Sequence, residues 1–252
     1  MTIVTSLTYD KTFSIAAKEL ADFYEKITGE KVAVDDVSPP SGDAIYLCPA
    51  GSEGADPRVK VGSDEFSLLS AKKENRTLLT ITAGRGRASL YGVYAFLEEA
   101  AGCHYFWDGD VIPKARSIPL EGFDLYEAFD GLSLNESPHF DYRGTRYFAH
   151  RSLHRFQAEH WSLEDWKREI DWMMKRRLNL FMLRIGMDDL FQRAFPETVP
   201  YPSNEKPLPE SLRGYDNRTT FWSLEFRGNL RKQILDYAFE RDLLHPEDCG
   251  TM

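Results

Sequence analysis

The chain has 252 residues with 31 Lys+Arg against 40 Asp+Glu, a formal charge of −9, and 42% apolar residues. That is material for one large or two medium domains with a buried core, not for a disordered or fibrous chain. The acidic balance without a basic stripe argues against nucleic acid as the main partner, and no apolar run reaches the roughly 20 residues that cross a bilayer. In chain order, Phe13, Ala16, Ala17, Leu20, Phe23, Tyr24 and Ile27 recur at helical spacing, and Thr28-Gly29 stops that helix. Short β-type runs follow at Lys31–Val34, Ala44–Cys48, Val59–Val61, Phe66–Ala71 and Thr77–Thr82, separated by Ser/Pro/Gly and Lys-Glu-Asn turns. A second helix is predicted over 87–101, with Leu90, Val93, Tyr94 and Leu97 on one face. Extended pieces at Tyr105-Phe106 and Asp110–Ile112 close an α+β sandwich over 1–120.

Residues 121–138 lack periodicity and read as a linker. From 139 to 252 the pattern changes to βα units. Tyr142–His150 reads as a strand, and Ser162-Leu-Glu-Asp165 is a capping-box start for a helix bearing Trp166, Ile170, Met173 and Met174 on one face. Lys175-Arg176-Arg177 suits a helix C-terminus, where cations are favoured. The apolar run Leu178–Leu183 reads as a strand covered on both faces. A short helix at Asp188–Phe195, a Pro-rich excursion from Pro196 to Thr220 and a long helix at Leu224–Leu243 follow. In that last helix Leu230, Ile234, Leu235, Ala238 and Phe239 are expected to face inward. Strand, helix, buried strand, loop and helix make two βα units, with function expected on loops at the C-terminal strand ends. A full (β/α)8 barrel takes about 250 residues. A truncated barrel that stops after its first two units is therefore expected.

Three apparent motifs carry little. Gly84-Arg85-Gly86 sits between strand and helix, but Ser89 stands where a dinucleotide fingerprint needs its third glycine, so a tight turn is expected. His150, His154 and His160 cluster in sequence, yet only the first two have i, i+4 spacing and no third donor accompanies them, so no metal and no cofactor are expected. Cys48, Cys103 and Cys249 form no CxxC pair, and Met1–Thr8 has no basic or apolar leader pattern. A reduced, cytoplasmic protein is expected, which would leave the sequons at Asn75, Asn135 and Asn217 unused.

Trp166-Lys-Arg-Glu-Ile-Asp-Trp-Met173, followed by Leu178-Asn179-Leu180, resembles the start of the barrel in α-N-acetylglucosaminidases. Gly84–Gly92 with Tyr94, Phe96-Leu97-Glu98 and Tyr105-Phe106 is similar to the small accessory domain before such barrels, shared with α-glucuronidases and β-N-acetylhexosaminidases. The resemblance implies a glycoside hydrolase that acts on non-reducing-end sugars of oligosaccharides with two carboxylates, both on strands later than Met252. It maps sugar contacts onto Arg143 of Arg143-Gly144, onto His150, and onto Asp188 of Gly186-Met187-Asp188. The chain alone is then expected to be inactive, because Asp188 and Asp189 diverge and Glu169 and Asp171 sit on an outer helix. A structural ion pair between domains is the other role open to Arg143, and helix N-capping the other role for Asp188. A non-catalytic carbohydrate-binding or interaction module is the alternative function, and an unrelated small α/β protein a third.

Overall fold

Asp10 opens the first helix. Its carboxylate accepts from the Thr12 amide at 2.9 Å and the Thr12 hydroxyl at 2.7 Å, which gives partners to donors a helix start otherwise leaves free. Helix α1 (Lys11–Thr28) then runs to Gly29, whose φ of 81° ends it as the sequence pattern expects. In the computed structural model, which describes residues 2–37, 39–73, 76–114, 131–146, 161–183, 194–195 and 224–244, the chain divides into two units. One comprises Met1–Arg143, Trp172–Leu178 and Glu240–Asp242; the other comprises Gly144–Asp171, Asn179–Phe239 and Leu243–Met252.

The first unit is built on a six-stranded sheet of β1 (Thr2–Val4), β2 (Ala33–Asp35), β3 (Ala44–Pro49), β4 (Phe66–Lys73), β5 (Arg76–Ala83) and β8 (Ser133–Glu136), in the order β2-β1-β3-β5-β4-β8. Strands β2, β1, β3 and β5 are mutually parallel, while β4 and β8 are antiparallel additions. Four parallel strands make this a mixed α/β layer rather than a purely antiparallel sheet. Ile45 and Leu47 alternate along β3 with Ala44, Tyr46 and Cys48, and all five are buried, so both faces are covered. Val4, Ala44, Tyr46 and Cys48 pack with Tyr9, Ala55 and Leu78 on one side. Helix α1 packs beside α2 (Gly86–Ala101), which buries Leu90, Val93, Tyr94, Phe96 and Leu97. Each such side chain removed from water contributes about 1.5–3 kcal/mol before entropy is counted. A hairpin of β6 (His104–Phe106) and β7 (Gly109–Val111) follows.

The sequence reading differs from the structure at identifiable places. Val59–Val61 is a turn, not a strand. The Val59 amide bonds to the Asp56 carbonyl at 3.2 Å, while Arg58 grips the Asp56 carboxylate at 2.6 Å, and Val61 is exposed. Thr2–Val4, too short to announce itself, lies between β2 and β3 in the sheet. Ser133–Glu136, inside the stretch read as linker, is the edge strand beside β4; its polar Ser-Leu-Asn-Glu gives no apolar period to detect.

In the second unit the capping box forms as expected. The Asp165 amide reaches Ser162 Oγ at 3.3 Å while the Ser162 amide reaches the Asp165 carboxylate at 2.9 Å. Helix α3 (Leu163–Lys175) buries Trp166, Ile170, Met173 and Met174. Strand β9 (Gly144–Arg146) pairs in parallel with β10 (Leu180–Met182). Any side chain on Gly144 would collide with the Leu180 backbone, so the glycine of Arg143-Gly144 is needed for strand approach. Leu244 begins another parallel pairing on β10: its amide donates to the Asn179 carbonyl at 3.0 Å, and its carbonyl accepts from the Phe181 amide at 2.9 Å. Helix α4 (Leu224–Phe239) buries Leu230, Ile234 and Ala238. Phe239, expected to face inward, is 83% exposed; the helix ends on it, and Leu243 takes the buried place instead.

Candidate functional site

The strand-to-helix turn Ala83–Arg87 is the most heavily charged corner of the first unit. Gly84 is pressed against the Lys60 and Ser63 carbonyls, where a Cβ would come within 2.5 Å of both. That side of the turn is closed by protein carbonyls, and the Arg87 amide donates to the Asp242 carboxylate at 3.2 Å. Its arginines serve protein carboxylates. Arg85 forks onto Asp242 at 2.6 and 2.7 Å, and nothing stronger than this pair raises the Arg85 pKa. Arg87, almost fully buried, donates from Nε to Asp64 Oδ1 at 2.6 Å and from Nη1 to the Asp242 carbonyl at 2.8 Å.

Asp64 is the pivot. Its second oxygen accepts from Arg143 Nη2 at 2.7 Å. Arg143 gives two further donors to carbonyls, Nε to Arg177 at 2.8 Å and Nη1 to Phe140 at 2.7 Å. Tyr91 donates to the Leu178 carbonyl at 2.8 Å. Burial first, and then the Asp64 charge, push its phenol upward, so it stays a donor at every physiological pH. Arg177 reaches Glu98 and Glu136, each at 3.2 Å, and lies over the Phe66 ring. Burial raises the Glu98 carboxyl, and the charges of Arg177 and Arg176 pull it back.

A cavity of about 470 Å³ lies within the same unit, lined by residues that include Phe66, Tyr91, Asn135, Glu136, Phe140 and Arg176. It offers cations, an aromatic ring and amide or hydroxyl partners. Its two lining carboxylates, Asp64 and Glu136, are both engaged by arginine. Both Asp64 oxygens are bound by arginine, and Glu136 is paired with Arg177.

Of the residues singled out by sequence, Arg143 lies on the wall of this cavity, where its ion pair is with Asp64 of the same unit. His150, Asp188, Asp189 and the Pro196–Thr220 excursion lie outside the described residues. Glu169 is buried, and Asp171 accepts from the Tyr237 hydroxyl at 2.9 Å, in keeping with a structural role for both. Asp64 was missed: one acid in Gly-Ser-Asp-Glu before a strand has no sequence signal, and its arginines come from positions 23 and 79 residues away. No group of three His, Cys, Asp or Glu side chains able to hold a metal occurs among the described residues. Nor is any described helix long and apolar enough to cross a membrane.

No family model matches the chain. Over 137 residues, 54% of its length, it is 26% identical to human Alpha-N-acetylglucosaminidase, and the match spans 16% of that protein. The chain resembles the α-N-acetylglucosaminidases, as its Trp-x-Arg-Glu-Ile-Asp-Trp-Met helix implied. Among solved structures, a Streptomyces plicatus beta-hexosaminidase in complex with product GlcNAc aligns with 98% of this chain and 41% of its own, at 16% identity and a TM-score of 0.50. A family 89 glycoside hydrolase from Clostridium perfringens in complex with PUGNAc aligns with 93% of this chain and 24% of its own, at 11% identity and a TM-score of 0.48. The mixed α/β fold is thus similar to that of the beta-hexosaminidase. The chain spans about a sixth of the length of the curated relative it matches.

Proposed function

We propose that this chain is the amino-terminal portion of a glycoside hydrolase that removes sugars from the non-reducing ends of oligosaccharides: an accessory α/β domain, then the first two βα units of a (β/α)8 barrel. The observation that carries this is the 137-residue match to an α-N-acetylglucosaminidase. Local geometry supports it: β9 and β10 are parallel and joined through α3, and Leu244 starts a pairing on the far side of β10 after α4. Consecutive parallel strands with helices between them are how such a barrel begins. In this reading the general acid and the second carboxylate lie on strands later than those described, and no cofactor takes part.

The same reading gives Arg143, His150 and Asp188 to the sugar. Arg143 already holds Asp64 and two carbonyls, so a sugar contact would be made by a guanidinium those bonds fix in place. His150 and Asp188 follow their strands, where loops share one edge of a parallel sheet. The test is hydrolysis of aryl glycosides of N-acetylglucosamine, glucuronic acid and glucose, by this chain and by any longer product of its reading frame. The expected result is turnover by the longer product and none by the 252 residues alone. Robust turnover by the chain alone, abolished by Asp188→Ala, would move the chemistry into these two βα units. A carbohydrate-binding module without catalysis is the second reading, favoured by the cavity in the first unit. It gains if no longer product exists.

A further inference from the structure

We infer that the cavity of the first unit binds an acidic sugar, with the sugar carboxylate on Arg176 and the ring face on Phe140. The choice of a sugar over another carboxylate rests on the glycoside-hydrolase reading; the choice of an anion does not. About 470 Å³ falls within the roughly 300–1,000 Å³ of small-molecule sites.

Three arginines, Arg143, Arg176 and Arg177, and two carboxylates, Asp64 and Glu136, line this cavity. Asp64 is held by Arg87 and Arg143, and Glu136 by Arg177. Arg176 is exposed and makes no ion pair among the described residues. In a chain of net charge −9, this is a local excess of the opposite sign.

A helix C-terminus ordinarily repels anions, because its last carbonyls point outward. Here the Trp172, Met173 and Met174 carbonyls are covered, the first by the Arg176 amide at 2.9 Å. The Arg177 amide bonds to the Met174 carbonyl at 3.1 Å and the Leu178 amide to the Met173 carbonyl at 2.9 Å. The carbonyls of Arg177 and Leu178 accept from Arg143 and Tyr91. This closure needs a left-handed residue, usually glycine, yet Arg177 occupies it at φ 57°. An arginine at a position that disfavours side chains keeps Glu98 and Glu136 neutralised and so leaves Arg176 for a ligand.

The aromatic wall decides against an inorganic anion. Phe140 is 72% exposed on the cavity rim, and Arg143 holds its carbonyl in place. An apolar sugar face stacks on such a ring, whereas sulfate gains nothing from it. Asn135 and His139 stand nearby, exposed, for hydroxyl groups. A neutral sugar would use Phe140 but not Arg176. Only a ligand with both an apolar face and a carboxylate uses both.

The test is titration of the 252-residue chain with methyl glucuronide, methyl glucoside and sodium sulfate, followed by NMR and calorimetry. The glucuronide is expected to bind roughly tenfold more tightly than the glucoside, through a charge-assisted bond. Arg176→Ala should erase that difference, Arg176→Lys restore part of it, and Phe140→Ala weaken glucuronide and glucoside alike while leaving any sulfate binding unchanged. Both side chains are exposed, and unchanged melting would confirm that the variants fold. Equal affinity for glucoside and glucuronide, binding of sulfate alone, full glucuronide binding by Arg176→Ala, or no binding of any probe would each overturn the inference. Failure here with hydrolysis by a longer product removes this site and leaves the glycosidase reading standing. Success here without hydrolysis does the reverse.

Discussion

The first unit and the second handle unsatisfied groups in opposite ways. In the first, four parallel strands are bordered on one side by the antiparallel β4 and β8, and its buried acids are each held by arginine. In the second, β9 and β10 form a short parallel pair, and Leu244 bridges to β10 in parallel. Parallel strands are stable when covered on both faces and extended by neighbours. One unit thus holds a closed network of contacts between residues far apart in sequence, whereas the described part of the other is a short parallel strand pair with its helices.

The largest expected effect strikes the closed network. Asp64→Ala strands the buried Arg87 and the half-buried Arg143, and loss of one partner of a buried pair costs about 3–5 kcal/mol. Chemical denaturation should show that loss, while Asp64→Asn should retain part of the stability. A wild-type-like midpoint for the alanine variant would mean that the network is ornamental.

Next comes a change in the second unit. Phe181 is fully buried and packs edge-on against Trp166 at 5.7 Å between centroids. Phe181→Ala is expected to cost about 3 kcal/mol or more. Hydrogen exchange sharpens the comparison: amides of β9 and β10 should lose protection while those of β3 and β5 keep it. Uniform loss across both units would erase the distinction drawn here.

A smaller effect is expected from pH. The Arg58 guanidinium holds the Asp56 carboxyl down at about 2, from an ordinary 3.8, against the opposing effect of burial. A depressed carboxyl contributes stability above its unfolded value and loses it as pH falls from about 4 toward 2. Asp56→Asn should therefore lower Tm at pH 7 by a few degrees, on the order of 2–4 °C per kcal/mol, and converge with the parent near pH 2. A constant difference across that range would show that the ion pair is not the cause.

The smallest expected effect is chemical. Burial pushes the Cys103 thiol up to about 11, and burial also raises Cys48. Neither should react with a thiol reagent at neutral pH in the folded chain, and both should react in denaturant. Rapid native labelling of Cys103 would show that its surroundings open far more often than its packing implies.

Local patterns determined a good deal. The 3.6-residue period of Phe13 to Ile27, the Ser162–Asp165 box and the apolar run at 44–48 each depend on neighbours in sequence and form where expected, while the run at 178–183 is a strand over Leu180–Met182. So does the resemblance carried by the Trp166–Met173 helix. Strand order, the edge strand Ser133–Glu136, the turn at Val59 and the exposure of Phe239 were decided by tertiary structure. Sheet neighbours and helix ends are settled by distant partners, and short polar strands carry no period of their own. Likewise, an arginine-rich turn could have served phosphate or protein from its sequence alone. Only the fold brings Asp64 to Arg87 and Arg143 across 23 and 79 residues, and that distance is why no local motif could announce the cluster.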